Sequence, residues 1–481
     1  MFSLFKKKNK QEPFRVYNTL TRELEVFTPQ HPPVVTFYSC GPTVYDYQHI
    51  GNLRSVIAND TYKRVLEYNG YQVRHISNIT DVGHLVSDAD KGEDKMVKAL
   101  KREGLDQSVD SMLKLAQKYT EQYLKDLEAL NVEMPEQWAK ATDHITEMIE
   151  IVQGLIKKGI VYETSTAFYF DTAQFPGYGA LAKLKIEEQE AGARVEVDSE
   201  KRNPSDFAVW MKAVGDNAGH VMVWDAPFCN EKGFPGWHIE CSAMSMKYLG
   251  ETIDIHSGGI DHIPVHHTNE IAQSEAYTGK KFVHYWLHNE FLVVKGDKMS
   301  KSAGTFVTLS QLIEKGFTPL AYRYMLLQGS YRSPLNFTFE ALGDAQRGLL
   351  HLEEKIRTLG NEEGKVSVRY QKQFQDAINN DFNTPQALAV LQEMLKDTSV
   401  SNEDKRATVN DFDQVLGLGL VDVRKIAVMI PQVIITRADQ RLEAKAQKDY
   451  VKADALRDQI AEDGWLVKDT PEGYTLEPKN E

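Results

Sequence analysis

Cys40-Gly41-Pro42-Thr43-Val44-Tyr45-Asp46-Tyr47-Gln48-His49-Ile50-Gly51-Asn52 joins a strand pattern to a helix pattern, with a thiol, a histidine and two glycines in between. Upstream, Val34-Val35-Thr36-Phe37-Tyr38 is a short apolar run of β-branched and aromatic residues, the composition of a buried parallel strand. Downstream, Leu53, Val56, Ile57, Val65 and Leu66 fall on one face at helical spacing, which predicts a helix starting near Gly51 or Asn52. The join therefore sits at a strand's carboxyl end and a helix's amino end. In open α/β sheets that crevice takes ligands, and the helix terminus offers unpaired N–H groups to phosphates. Gly51 allows close backbone approach, and His49 and Asn52 can donate hydrogen bonds to phosphate oxygens. A plain helix entry would carry the same residues.

The 481 residues are enough for several domains and a large core. Charged residues make up 26% and hydrophobic residues 42%, a globular composition that argues against extensive disorder. No apolar run approaches the ~18 residues of a membrane span. The N-terminus places Lys6-Lys7-Lys8 after a very short apolar segment, the reverse of a secretory signal, so a cytoplasmic protein with no membrane partner is expected. Three cysteines, Cys40, Cys229 and Cys241, cannot build a disulfide framework. The net charge of −13 argues against indiscriminate coating of nucleic acid, though a local basic groove remains compatible with it.

Residues 1–32 read as a loosely held lead-in. After the first helix, Gly70 resets the chain, and Gln72 to Asp81 reads as a second strand ending in Asn78-Ile79-Thr80-Asp81, giving a right-handed βαβ start. Asp88 to Lys95 reads as a polar surface loop. Helical periodicity covers 108–131 and 143–158, Val161 to Asp171 alternates as β structure, and the charged stretch Glu187 to Arg202 follows. This block interrupts the α/β pattern as an insertion. The pattern resumes near Pro235, with a strand at Ile253-Asp254-Ile255-His256 and a helix between Pro264 and Gly279.

On that helix His266 and Glu270 are four apart and share a face. With Cys40 and Cys241 they supply two thiols, an imidazole and a carboxylate, all zinc-type ligands placed at ends of elements that a doubly wound sheet would gather. No C-x-x-C pair is present, and spacing alone favours the plainer reading of isolated buried cysteines and a surface histidine. His238, His256, His267 and Cys229 are further candidates, Cys229 reading best as a free thiol. Lys298-Met299-Ser300-Lys301-Ser302 is a small, polar loop with two lysines three apart, able to neutralise charge building on a departing pyrophosphate. A lysine pair is commonly only a solvated face; this pentapeptide is more specific.

His-Ile-Gly-Asn at the first helix and Lys-Met-Ser-Lys-Ser later in one α/β chain resemble the paired signatures of class I aminoacyl-tRNA synthetases. Cys-Gly-Pro-Thr-Val-Tyr-Asp at 40–46, Asn-Ile-Thr-Asp at 78–81, Pro-Gly-Trp-His-Ile-Glu-Cys at 235–241 and His-His-Thr-Asn-Glu-Ile-Ala-Gln at 266–273 narrow the resemblance to the cysteinyl-tRNA synthetase family, over nearly the whole length. The resemblance implies that Cys40, Cys241, His266 and Glu270 bind one zinc ion per chain, whose open position takes the substrate thiolate and rejects serine's hydroxyl. It implies that Thr80, Trp237, His256 and Asp261 line the amino-acid pocket, Asp261 being a natural partner for the substrate ammonium or else a helix-capping carboxylate. It also implies two steps: L-cysteine attacks the α-phosphorus of ATP, with Mg2+ accompanying the nucleotide, and a terminal ribose hydroxyl of cysteine tRNA then displaces AMP. His49, Gly51, Asn52, Lys298 and Lys301 would bind ATP, with His49, Asn52, Lys298 and Lys301 stabilising phosphate charge.

Two departures stand out. The family's second signature histidine is Asn52 here, and Val82 to Asp88 replaces the usual Asp-Asp-Lys continuation. The expected fold is α/β: a doubly wound parallel-sheet (Rossmann-type) catalytic domain with an inserted domain, then a helical bundle and a small α+β terminal domain. The expected bounds are 1–32 lead-in, 33–125 with 233–300 catalytic, 126–232 inserted, 301–340 signature loop and stem contact, 341–428 tRNA-binding bundle, and 429–481 anticodon-side domain. In the last of these, Arg437 to Ala461 reads as one charged helix and Trp465 to Leu476 as a hairpin. A monomer is expected. Rival readings are a ligase relative that passes cysteine to an amino sugar, and a non-catalytic zinc-stabilised RNA-binding protein.

Overall fold

The computed structural model describes residues 13–83, 95–183, 199–294, 297–298, 306–360, 362–423, 430–470 and 473–479. An antiparallel pair, β1 (Arg15–Asn18) and β2 (Glu23–Val26), precedes the first strand of the main sheet, β3 (Val34–Ser39). Helix α1 (Ile50–Tyr68) leads to β4 (Gln72–Ile79), and α2 (Lys95–Glu103) and α3 (Val109–Ala129) lead to β5 (Gln137–Lys140). After α4 (Ile145–Lys157) come β6 (Val161–Glu163), β7 (Ala167–Phe170), β8 (Phe207–Lys212) and β9 (Gly233–Pro235), an antiparallel sheet in chain order. Helix α5 (Trp237–Leu249) returns the chain to β10 (Ile253–Gly259); a π-helical turn, Ile263–His267, runs straight into α6 (Thr268–Thr278) and then β11 (Val283–Asn289).

Beyond the main sheet, β12 (Leu292–Val294) and β13 (Asp297–Lys298) are followed by α7 (Leu309–Glu314), α8 (Pro319–Leu327) and β14 (Leu335–Asn336), which pairs back onto β12. Four helices follow: α9 (Phe339–Arg357), α10 (Val368–Ile378), α11 (Thr384–Lys396) and α12 (Asn402–Leu416). The chain ends in α13 (Gln432–Ala446), α14 (Tyr450–Glu462) and the hairpin β15 (Trp465–Thr470) and β16 (Gly473–Pro478).

The main sheet has the order β11-β10-β3-β4-β5 and every neighbouring pair is parallel. From β3 the chain winds outward through β4 to β5, then returns to build β10 and β11 on the other side. The reversal therefore falls between β3 and β10, and the loops leaving their carboxyl ends splay apart to leave a crevice. Val35 and Phe37 of β3 pack with Leu53 and Ile57 of α1, while Tyr38 and Ile76 belong to the other face with Ile239 and Met244 of α5. Helices cover both faces, as a parallel sheet requires.

Three expectations differ from this. Residues 13–32 are not loosely held: Phe14, Val16 and Phe27 are buried, and Phe14 meets Phe27 at a tilt and Phe382 edge-on. The strand Gln137–Lys140, within the stretch assigned to the insert, pairs in parallel with β4 in the main sheet. The single charged helix expected over 437–461 is two, broken where Lys448 takes a left-handed conformation (φ 61°) and Asp449 caps the second by accepting the Lys452 N–H at 3.1 Å. Most of the loop expected from Asp88 to Lys95 lies outside the described residues.

Candidate active site

A cavity of about 460 Å³ opens at the switch point. Its walls include Cys40 and Thr43 from the loop after β3, His49, Gly51 and Asn52 from the start of α1, Thr80 after β4, Trp237 and Cys241 from α5, and Asp261 and His266 from the turns after β10. The loop after β3 is laced to the end of β4: Thr80 N–H donates to Pro42 O at 3.0 Å and Val44 N–H to Thr80 O at 3.1 Å. Gly41 is required there, because a Cβ would lie 1.7 Å from Asn78 O.

At the cavity floor, one donor atom from each of Cys40, Cys241, His266 and Glu270 lies within 4.8 Å of the other three. Tetrahedral zinc bonds of ~2.0–2.3 Å set ligand atoms roughly 3.3–3.8 Å apart, so the group is the right size as well as the right chemistry. Glu270 Oε1 faces His266 Nε2 at 3.0 Å without a hydrogen bond of good geometry, a fully buried oxygen left for another partner. The ligand atoms are aimed by neighbours: His256 Nε2 lies 2.9 Å from Glu270 Oε2, and His238 Nδ1 lies 2.9 Å from His266 Nδ1, which turns His266 Nε2 inward. A second set, Cys40, His256, His267 and Glu270, also converges. There His267 is already held between Cys40 Sγ at 3.3 Å and His288 Nε2 at 2.7 Å, and neither His256 nor His267 lines the cavity. The first set is the one that reaches open space.

The charges in this cluster are tightly linked. Burial raises the cost of ionising Glu270, but His256 and His266 outweigh it and hold the carboxyl down at about 2. Burial likewise opposes the His266 cation, and Glu270 and Cys241 outweigh it, keeping that ring protonated up to about 10. A hydrogen bond from Cys40 lowers Cys241 to about 7, whereas burial and the adjoining Cys241 push Cys40 well above an ordinary thiol. Without a cation the pocket supports one thiolate; a bound cation favours the second.

Toward the mouth, His49 caps α1, its Nδ1 accepting the Asn52 N–H at 3.1 Å. Since Nδ1 accepts, the ring proton sits on Nε2 and that atom is a donor. The chain beyond the lysine loop returns to this point: Ile50 N–H donates to Val307 O at 2.8 Å, His49 bridges to Thr308, and the Phe306 ring meets His49 edge-on at 5.6 Å. The Lys298 backbone lies in β13 opposite Val293, its side chain and all of Lys301 being outside the described residues.

The other sequence candidates separate. Thr80, Trp237 and Asp261 line the cavity, and Trp237 stacks on His266 at 4.3 Å. His256, expected in the amino-acid pocket, is fully buried behind Glu270, on a strand rather than on the wall. Cys229 belongs to neither converging set, and its Sγ lies 3.6 Å from Glu231 Oε2. Asn78 and Glu240 were not singled out by sequence. Both are buried, Asn78 in the cavity wall accepting Gly41 N–H at 2.7 Å and Glu240 behind it accepting Thr80 O–H at 3.0 Å. Both stand inside motifs that carry the family resemblance, Asn78 in 78–81 and Glu240 in 235–241, but no role for either follows from the pattern.

Residues 26–347 match the family described as tRNA synthetases class I (C) catalytic domain, and residues 373–420 match the DALR domain. Cysteine–tRNA ligase 1 of Burkholderia lata is 46% identical over 96% of this chain and 97% of its own. The cysteine–tRNA ligases of Treponema denticola and Thermus thermophilus are 43% and 40% identical, each over 95% of this chain and 97% and 98% of their own. Among solved structures, a Mycobacterium tuberculosis methionyl-tRNA synthetase with methionyl-adenylate covers 81% of this chain and 91% of its own at a TM-score of 0.53; at 14% identity the likeness is one of fold. The catalytic-domain match and the full-length relatives agree with the cavity at the switch point, and the chain belongs to the class I cysteinyl-tRNA synthetases, the cysteine–tRNA ligases.

Proposed function

We propose that the cavity activates L-cysteine with ATP at two separate ends, a zinc-holding floor of Cys40, Cys241, His266 and Glu270 and a phosphate-binding mouth at the start of α1. The observation that carries this is the convergence of the four donor atoms on the floor of the cavity that His49 and Asn52 border. A zinc ion held there supplies a soft Lewis-acid position that favours a thiolate over a hydroxyl. Trp237 walls the floor, Thr80 and Asp261 supply oxygen atoms to the substrate ammonium, and His256 acts from behind by fixing Glu270.

At the mouth, His49 Nε2 and the first N–H groups of α1 donate to phosphate oxygens of ATP, which arrives with Mg2+. Gly51 keeps the helix start open, and Lys298 and Lys301 neutralise the departing pyrophosphate. Charge grows on those oxygens as the α-phosphorus is attacked, so donors already in place stabilise the transition state more than the ground state. Cysteine tRNA then takes the cysteinyl group on its terminal ribose, the helices over 341–428 supporting its body and residues 429–481 its anticodon end. The working form is a cytoplasmic monomer; among the described residues no helix is long and apolar enough to cross a membrane.

Charging of a cysteine tRNA transcript with labelled cysteine and ATP tests this reading. Full charging of the intact transcript, with strong loss on an anticodon-altered one and none with serine, is expected. Equal charging of both transcripts would remove the anticodon role from the terminal domain, and charging with serine would contradict thiolate selection.

A further inference from the structure

Four residues beside the cavity form a chain of hydrogen bonds whose directions can all be assigned. The Gly41 backbone N–H, which can only donate, lies 2.7 Å from Asn78 and so identifies the facing atom as the amide oxygen. The other end of that amide, Nδ2, is then the group 3.0 Å from Thr80 Oγ1, and it too can only donate. Thr80 must accept there. Its single O–H is left to point at Glu240 Oε2, 3.0 Å away. A hydroxyl has one proton and two lone pairs, so Thr80 retains one lone pair and no proton for anything else. Thr80 lines the cavity, and Glu240 is fully buried on α5, one residue before Cys241.

We infer that Asn78 and Glu240 are positioning residues that make the Thr80 hydroxyl a fixed acceptor, so that this point of the cavity reads the α-ammonium of the amino-acid substrate. An ammonium has donors and no acceptor, and it matches; a group with no donor hydrogen at that position gains nothing there. The chain begins at Gly41, where no Cβ fits against Asn78 O, so the loop that carries Cys40 also sets the polarity of the ammonium end. One continuous segment thus links selection of the thiol to selection of the amino group. The inference rests on the proposed use of this cavity for cysteine.

The test uses the full chain in cysteine-dependent ATP–pyrophosphate exchange, with 3-mercaptopropionate, which has the thiol and carboxylate but no amino group, as competitive probe. Glu240→Met removes the acceptor and frees the Thr80 hydroxyl to turn toward the cavity. The KM for cysteine is expected to rise about tenfold or more, the loss of a hydrogen bond to a charged group, with kcat and bound metal retained. The inhibition constant of 3-mercaptopropionate is expected to stay unchanged, and Glu240→Gln, which keeps an oxygen acceptor, to recover most of the loss. A parallel rise of both constants would show general damage to the pocket and overturn the inference, as would an unchanged KM for cysteine. If Glu240→Met does not fold, Thr80→Val is read by the same two constants with the same outcomes. Absence of cysteine-dependent exchange in the unsubstituted protein would instead contradict the proposed use of the cavity, and the inference would fall with it.

Discussion

His49 holds a structural and a chemical position together. Its Nδ1 satisfies one of the open N–H groups of α1, worth about 1 kcal/mol to the helix, and this bond is what commits Nε2 to donate. Replacement by alanine should therefore lower both stability and rate, whereas asparagine should restore the cap without placing a donor as far into the cavity. Exchange activity is expected to fall about 10²–10³-fold in both variants, with melting temperature recovering only in His49→Asn. Recovery of the rate by asparagine would show that capping alone matters. At this scale the sequence displayed the right residue types, but their meeting was not legible. Cys40, Cys241 and the His266–Glu270 pair lie on three distant stretches, and only the strand order puts them within 4.8 Å. His256 alternates correctly for a strand, yet whether it meets the cavity or the back of Glu270 depends on α6, which pattern alone does not position. Asn78 and Glu240 stood inside quoted motifs without a role, because nothing in their spacing distinguishes a buried polar relay from an ordinary strand end or helix position.

Among the elements, α1 shows why periodicity predicted too little burial. The apolar face of Leu53, Ile57, Val65 and Leu66 packs on the sheet, but Arg54, Asp60 and Arg64 are buried as well: α8 meets Asp60, α12 meets Arg64, and Arg54 reaches the Ser330 and Ser333 carbonyls. The short strands β1, β2 and β5 have four residues each, too few for alternation to register. The break between α13 and α14 did carry a signal, the capping Asp449, within a run that otherwise reads as continuous helix. Helix α3 offers a pH test. Burial pushes Asp126 up to about 6, with the Gln122 amide donating to it at 2.9 Å. The folded state holds this proton more tightly than the unfolded chain does, so stability falls as pH rises from about 4 to about 6 and stays lower above. Asp126→Asn, which keeps the oxygen that accepts from Gln122, should stabilise the protein by up to about 3 kcal/mol at pH 7 and hardly at all below pH 4. Denaturation at both pH values checks it; an equal effect at both would mean that ionisation of Asp126 is not the cause.

For the molecule as a whole, a buried ion pair ties the sheet region to the helices that follow it. Arg323 of α8 is fully buried against Asp60 of α1, and its remaining N–H groups reach Leu416 O of α12 at 2.8 Å and Leu130 O after α3 at 3.2 Å. Arg64 adds a bond to Asp60 at 2.9 Å and another to Gln414 O at 3.0 Å. Gly417 is confined here, since its φ is 61° and a Cβ would meet Arg323 Nη2 at 2.5 Å. Removing one partner of such a pair typically costs about 3–5 kcal/mol, so Arg323→Met should destabilise the protein by that order. Because the junction joins the cavity's scaffold to the helical region, tRNA charging should suffer more than cysteine-dependent exchange. Equal losses would place the damage in the cavity itself.

The measurement that bears most directly on the account compares metal-stripped and zinc-refilled protein in ATP–pyrophosphate exchange, with cysteine and with serine, while zinc content is followed. Stripping should abolish cysteine-dependent exchange, one zinc ion per chain should restore it, and serine should support none in either state. Unchanged exchange with cysteine in protein verified to hold no metal would contradict the assignment of Cys40, Cys241, His266 and Glu270 as the floor that selects the substrate.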